Sequence, residues 1–266
     1  MTETKIAVNA ERKVDERKVL LSIQNLRVWF ELRRFGFGVA GYVRAVDDVT
    51  FDLHAGEAIA VVGESGCGKS SLMKTILGLY RPREGKVVFD DQTISDMGRK
   101  GLSWYRAQVG YIQQDPYGAL PPFMSLQRIL DEPLVIGGVH SKGERIARIH
   151  KVLGEVKMHP VEDFLQKFPH MLSGGQQQRI ALARMLAYRP KVFLMDEPLS
   201  NLDARLRMDM RAELKHLHYA AGATTIYVTH DQVEALTMSS QIAVMKEGVL
   251  QQLDSPDKIY HFPANL

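Results

Sequence analysis

The run Gly63-Glu64-Ser65-Gly66-Cys67-Gly68-Lys69-Ser70 has the residue types and spacing of a loop that holds phosphate. Its glycines let backbone N–H groups close on phosphate oxygens without a Cβ in the way. A helix opening at Lys69 adds the partial positive charge of its N-terminus. Lys69 can reach the β- and γ-phosphates of a nucleotide, and the Ser70 hydroxyl suits Mg²⁺. Ser71 is counted with the loop. Cys67 reads as a small loop residue in preference to a redox switch.

Two acids follow a run of four apolar residues, in Val192-Phe193-Leu194-Met195-Asp196-Glu197. A carboxylate at the C-terminal end of a parallel strand faces the ligand crevice. Asp196 there would hold Mg²⁺, through water or together with Ser70, and Glu197 would polarise an attacking water. A third constellation is Ser173-Gly174-Gly175, ahead of a helix expected to begin at Gln176. Small residues at a helix start leave N–H groups open, so Ser173, Gly174, Gly175 and Gln176 form a candidate anion site.

These residues need elements to place them. Ala58-Ile59-Ala60-Val61-Val62 is continuously apolar, as a strand buried on both faces should be. The helix from Lys69 carries Leu72, Ile76 and Leu79 at helical spacing and ends near Gly78. Residues 20–28 and 45–53 read as strands, and Phe35-Gly36-Phe37-Gly38 as a loop. From about Asp115 to Tyr188 the chain reads as helices broken at Pro121-Pro122, Pro133, Gly137-Gly138 and Pro160. Beyond it come a helix over Ala204–Ala220, a strand over Thr225–Val228, and a hairpin turning at Glu247-Gly248. Strands alternating with helices predict a largely parallel sheet with helices on both faces.

The bulk composition narrows the function. A chain of 266 residues with 45% apolar and 24% charged residues can bury one sizeable α/β core. The net charge of +3 is too small to argue for nucleic acid. A single cysteine, Cys67, excludes an internal disulfide and favours the cytosol. No run approaches the ~18 uncharged apolar residues of a membrane span, so membrane partners would have to supply the spans. Apart from His230, the histidines, His216 and His218 among them, lack metal-ligand companions and read as surface residues.

Read in order, the phosphate loop, Leu172-Ser173-Gly174-Gly175-Gln176 and Met195-Asp196-Glu197-Pro198 resemble the ATPases of the ABC (ATP-binding cassette) family. The resemblance runs from about Val19 to the C-terminus. It implies an α/β fold: a P-loop NTPase (RecA-like) core with a parallel sheet, an N-terminal antiparallel β region and an inserted helical subdomain. Residues 1–18 would be a charged tail, 19–114 and 190–266 the ATP-binding core, and 115–189 the helical signature subdomain. The cofactors implied are ATP and Mg²⁺.

The resemblance also assigns roles. Gln114 matches the family's Q-loop glutamine, with Gln113 the competing choice, and would contact Mg²⁺ or water. His230, in Thr229-His230-Asp231, matches the switch histidine near the γ-phosphate. Asp203 closes the Ser200-Asn201-Leu202-Asp203 loop that crosses the dimer interface. The family stacks an aromatic ring on adenine; Tyr42 is the candidate here, with Phe37 and Phe35 as runners-up. In the family two cassettes meet head to tail, so that each ATP lies between one phosphate loop and the partner's signature. The expected partners are a second ABC ATPase subunit, identical or not, two transmembrane permeases, and through them an extracytoplasmic solute-binding protein, with this chain peripheral at the cytoplasmic face of the membrane.

Two importer types share the resemblance. Val43-Arg44-Ala45-Val46-Asp47-Asp48 and Gln114-Asp115-Pro116-Tyr117 are similar to oligopeptide importers. Pro198-Leu199-Ser200-Asn201-Leu202-Asp203-Ala204 and Thr229-His230-Asp231-Gln232-Val233-Glu234-Ala235 are similar to maltose-type sugar importers. The peptide type ends in a cysteine-rich segment and the maltose type continues into a regulatory β-domain. Neither is present, which leaves a truncated chain or a minimal subunit. The alternative class is a soluble ABC ATPase of DNA repair or translation, but this chain has neither a coiled-coil insertion nor a second cassette.

Overall fold

The computed structural model describes residues 17–33, 38–114, 118, 120–200 and 202–264. Among them the chain forms β1 (Val19–Arg33), β2 (Val39–His54), β3 (Ala58–Val62), α1 (Lys69–Ile76), β4 (Glu84–Phe89), β5 (Gln92–Thr93), α2 (Arg99–Gln108) and β6 (Val109–Ile112). There follow α3 (Leu126–Ile136), α4 (Lys142–Glu155), α5 (Glu162–Leu165), α6 (Gly174–Ala187), β7 (Val192–Asp196) and α7 (Ala204–Ala221). The last elements are β8 (Thr224–Thr229), α8 (Gln232–Met238), β9 (Gln241–Lys246), β10 (Val249–Asp254) and α9 (Pro256–His261). They gather into two compact units. One takes residues up to Tyr105 and from Gly222 onward; the other is Arg106–Ala221.

The first unit holds two sheets. In the antiparallel one the order is β2-β1-β4-β5. β1 pairs Ile23 with Phe51 and Val28 with Val46, and its register shifts around Asn25, whose φ is 47°. The extra residue lets Leu21, Ile23, Leu26 and Val28 all be buried, which strict alternation would forbid. In the second sheet β3 lies between β8 and β9, parallel to both, and β10 pairs antiparallel with β9. Ala58, Ile59, Ala60 and Val61 are all buried, as their continuous apolar run predicts. The β9–β10 turn uses Glu247 at φ 51° and Gly248 at φ 83°, the positive values a tight hairpin needs. Ala235 of α8 packs with Ala60 and Ile242 on this sheet.

The second unit pairs β6 parallel with β7, matching Val109 with Val192 and Ile112 with Met195. Between these strands α3, α4 and α6 pack on one another. Their buried faces carry Leu126, Ile129, Leu130 and Leu134, then Ile149, Val152 and Leu153, then Ile180 and Leu182.

Three local expectations change. Pro133 lies inside α3 and does not break it. Interior proline costs about 3 kcal/mol. Burying α3's four large side chains is worth roughly 1.5–3 kcal/mol each, so packing outweighs the lost bond. Leu79 falls beyond α1 and is exposed, because Gly78 at φ 70° has already ended the helix. His218 is half-buried and not a surface residue, and burial pushes its pKa below the ordinary histidine value. Phe35, Phe37, Asp115, Pro116, Tyr117, Asn201 and the first sixteen residues lie outside the described residues.

Candidate active site

The phosphate loop joins β3 to α1 in the first unit. Its cation is enclosed: Lys69 is 5% exposed, and its Nζ donates to the carbonyl oxygens of Gly63 at 2.8 Å and Glu64 at 2.9 Å. A buried ammonium needs acceptors, and here the loop's own backbone provides them. Gly68 precedes α1 at φ 103°, with no side-chain cap on the helix. A Cβ on Gly68 would stand 1.9 Å from the Ala45 carbonyl oxygen, so no other residue fits. Gly248 of the β9–β10 turn donates to the Cys67 carbonyl at 3.0 Å, and Asp47 of β2 donates to the Gly248 carbonyl at 2.8 Å. The loop is thus braced by β2 and by the hairpin. Glu64, Ser65 and Gly66 are exposed, Cys67 is buried, and Ser70 and Ser71 are half-buried.

His230 follows β8 in the same unit and is exposed. Asp231 caps α8 through its carboxylate, accepting from Val233 N at 2.8 Å and Glu234 N at 3.2 Å. Asp231 and Glu234 have the spacing of a capping box, in which Glu234 would accept from Asp231 N. The contact runs instead through Thr229. Asp231 N donates to Thr229 Oγ1 at 3.0 Å, and Thr229 Oγ1 donates to Glu234 Oε2 at 2.6 Å. Tyr227 OH donates to the same carboxylate oxygen at 3.0 Å. In the sequence, the Asp231-x-x-Glu234 spacing is the signal that marks Glu234.

Tyr42 lies on β2 opposite Glu31, 41% exposed. The Arg83 guanidinium stands 4.4 Å from its ring centre and 4.8 Å from that of Trp29. This cation–π stack places an exposed aromatic platform in the first unit. Arg83 and Trp29 are far apart in the chain, so no local pattern marks this pair.

The second unit carries the acids. Asp196 ends β7 at 3% exposure, and Tyr111 OH donates to its Oδ2 at 3.4 Å. Glu197 adopts φ 46°, a costly conformation for a residue with a side chain. The turn is held by Ser200, whose N and Oγ both donate to the Glu197 carbonyl, at 3.2 and 3.0 Å. Gln114 Nε2 donates to Glu197 Oε2 at 3.1 Å. Gln178 of α6 donates its amide to the Pro198 carbonyl.

In the same unit Ser173 caps α6, which begins at Gly174, two residues earlier than expected. Its Oγ accepts from Gln176 N at 3.4 Å, and Gln176 Oε1 accepts from Ser173 N at 3.0 Å. Gln176 N is therefore occupied rather than open, taken by the Ser173 hydroxyl, while the glutamine side chain takes Ser173 N in a reciprocal capping box. Gly175 lies against Leu206 of α7, where a Cβ would come within 2.4 Å of its Cδ2. Asp203 Oδ1 accepts from Leu206 N at 2.9 Å at the start of α7. Each unit thus gathers its own set: Gly63–Ser71, Tyr42 and His230 in the first, Gln114, Ser173–Gln176, Asp196, Glu197 and Asp203 in the second.

Residues 46–200 match the ABC transporter family. The trehalose/maltose import ATP-binding protein MalK of Thermococcus litoralis is 43% identical over 229 residues, 85% of this chain and 60% of that protein. The spermidine/putrescine import ATP-binding protein PotA of Rubrobacter xylanophilus is 42% identical over 249 residues, 94% of this chain and 60% of that one. The chain spans about three fifths of the length of these relatives. Among solved structures, a dimeric ATP-binding cassette in a post-hydrolysis state, bound to ADP and Pi, matches with a TM-score of 0.78 at 28% identity, over 89% of this chain and 99% of the other.

Proposed function

The chain belongs to the ABC transporter family, and from that premise we propose that it hydrolyses ATP as the motor subunit of an importer. The observation that carries this reading is Lys69, a buried cation held on the Gly63 and Glu64 carbonyls at the mouth of a glycine cradle. Phosphate oxygens are stronger acceptors for an ammonium than peptide carbonyls, so an entering polyphosphate can take Lys69 over.

In this reading the backbone of Gly63–Ser71 cradles the phosphates and Tyr42 stacks on adenine. Glu197 takes the proton of the attacking water, Gln114 orients that carboxylate and the water, and His230 donates to the γ-phosphate. Ser70, Asp196 and Gln114 are the residues that would hold Mg²⁺. One carboxylate with a hydroxyl and an amide is a set that suits an ion taking its remaining ligands from phosphate and water. When bound, Mg²⁺ supplies neutralisation of charge on the phosphates. Among the described residues no cluster of three or more histidine, cysteine or acidic ligands competes for a metal.

The helical stretch 115–189 would move as a subdomain against the 19–114 and 190–266 core. Ser173, Gly174, Gly175, Gln176 and Asp203 would serve the ATP of a second cassette. This chain would sit at the cytoplasmic face of the membrane, with two permeases spanning it and a solute-binding protein on the far side; no helix among the described residues is long and apolar enough to cross a membrane. The solute is of the small polar class. An oligopeptide or an oligosaccharide would fit the motifs; the trehalose/maltose relative at 43% identity supports the sugar, while the spermidine/putrescine relative at 42% serves another solute class.

Nucleotide titration of wild type and Lys69→Ala tests the reading. The variant is expected to lose MgATP binding by ~10-fold or more, the scale of a lost charge-assisted contact. Equal binding and equal hydrolysis by the two proteins would overturn the assignment.

A further inference from the structure

Glu234 is 4% exposed, yet it presents a carboxylate to two hydroxyl groups, Tyr227 OH at 3.0 Å and Thr229 Oγ1 at 2.6 Å, both meeting Oε2. Tyr227 and Thr229 are themselves 2% exposed. Burying a carboxylate is costly, and an apolar side chain would fill the same space more cheaply. What the carboxylate does is orient a hydroxyl. Because Thr229 Oγ1 gives its proton to Glu234, its lone pairs face the other way, and one accepts Asp231 N at 3.0 Å. That N–H belongs to the peptide unit leaving His230. Thr229 is also the last residue of β8, in register with Val62 of β3. The backbone is therefore held on both sides of His230, by the sheet before it and by the Glu234–Thr229 relay after it. The imidazole is thus carried, exposed, on a backbone fixed at both ends.

We propose that Glu234, acting through Thr229, is a positioning residue for His230 and tunes the hydrolytic step rather than nucleotide binding. The inference rests on reading His230 as the γ-phosphate contact. Misplacing such a group by about 1 Å is enough to cost on the order of 10²-fold in rate.

The experiment measures kcat and KM for MgATP, with melting temperature, on the full chain for Glu234→Ala, Glu234→Gln, Thr229→Val, His230→Ala and the double variant Glu234→Ala/His230→Ala. Glu234→Ala and Thr229→Val are expected to lower kcat by ~10-fold or more with KM nearly unchanged. Glu234→Gln keeps an acceptor oxygen and should recover most of the rate. The double variant should be no slower than His230→Ala alone, because both changes remove the same contribution. Losses that multiply in the double variant would show that Glu234 acts independently of His230 and overturn the proposal. So would a wild-type kcat in Glu234→Ala while His230→Ala is impaired; the reading of His230 would then stand without it. A wild-type kcat in His230→Ala would instead sink that reading and the inference with it. If Glu234→Ala fails to fold, the near-isosteric Thr229→Val and Glu234→Gln decide by the same criteria.

Discussion

Gln114 Nε2 donates to Glu197 Oε2 at 3.1 Å, across 83 residues of sequence. A carboxylate meant to take a proton from water must have one oxygen aimed at it. An amide donor on the other oxygen aligns the group. The Glu197 backbone is held too, at φ 46° with its carbonyl bonded by Ser200. Side chain and main chain are thus both constrained, as preorganisation of a catalytic carboxylate requires.

Changing the donor should therefore change the rate in a graded way. Gln114→Ala frees the carboxylate, and its kcat should fall by ~10-fold. Gln114→Glu sets two carboxylates against each other and should fall further, since like charges at that range repel. Steady-state ATPase assays of both variants decide it. A Gln114→Glu enzyme as active as wild type would mean that the contact does not orient Glu197.

Glu197→Gln should bind ATP and lose hydrolysis by roughly 10²–10⁴-fold, the usual scale for a missing general base. Because hydrolysis reopens the closed state, this variant should also accumulate an ATP-bound dimer. Size-exclusion chromatography with saturating MgATP reads the mass directly. A strictly monomeric profile would count against head-to-tail closure.

Phe123 is 93% exposed, shortly after Gln114, and Pro122 beside it is exposed as well, whereas Leu120 is buried. A large apolar side chain this open suits a partly apolar docking site for a permease helix. Phe123→Asp should leave ATP hydrolysis by the isolated subunit unchanged and abolish transport by the assembled complex. Transport at the wild-type rate would remove Phe123 from the docking surface. Leu120→Asp should instead unfold the subunit, since it places a charge in a closed core.

Much of this chemistry was legible in the residues alone, wherever function depends on covalent neighbours. A glycine-rich run after an apolar strand and before a helix places Lys69 at that helix's start. The positive φ of Glu247 and Gly248 follows from the turn that two short strands demand. Four apolar residues ahead of Asp196 and Glu197 make a buried strand with acids at its end.

Tertiary structure decided what depends on partners distant in the chain. Pro133 stays inside a helix because the apolar face around it is buried against α4 and α6. Gly68 cannot carry a Cβ because the Ala45 carbonyl lies against it, a contact no local pattern encodes. Gln114 meets Glu197 through a bond spanning most of the second unit. Glu234 bonds Thr229 in place of the amide its spacing suggests, because the end of β8 puts a hydroxyl between them. Local spacing sets which groups a segment offers; the packing of remote segments sets which of those groups meet, since only the folded chain brings them within hydrogen-bonding range.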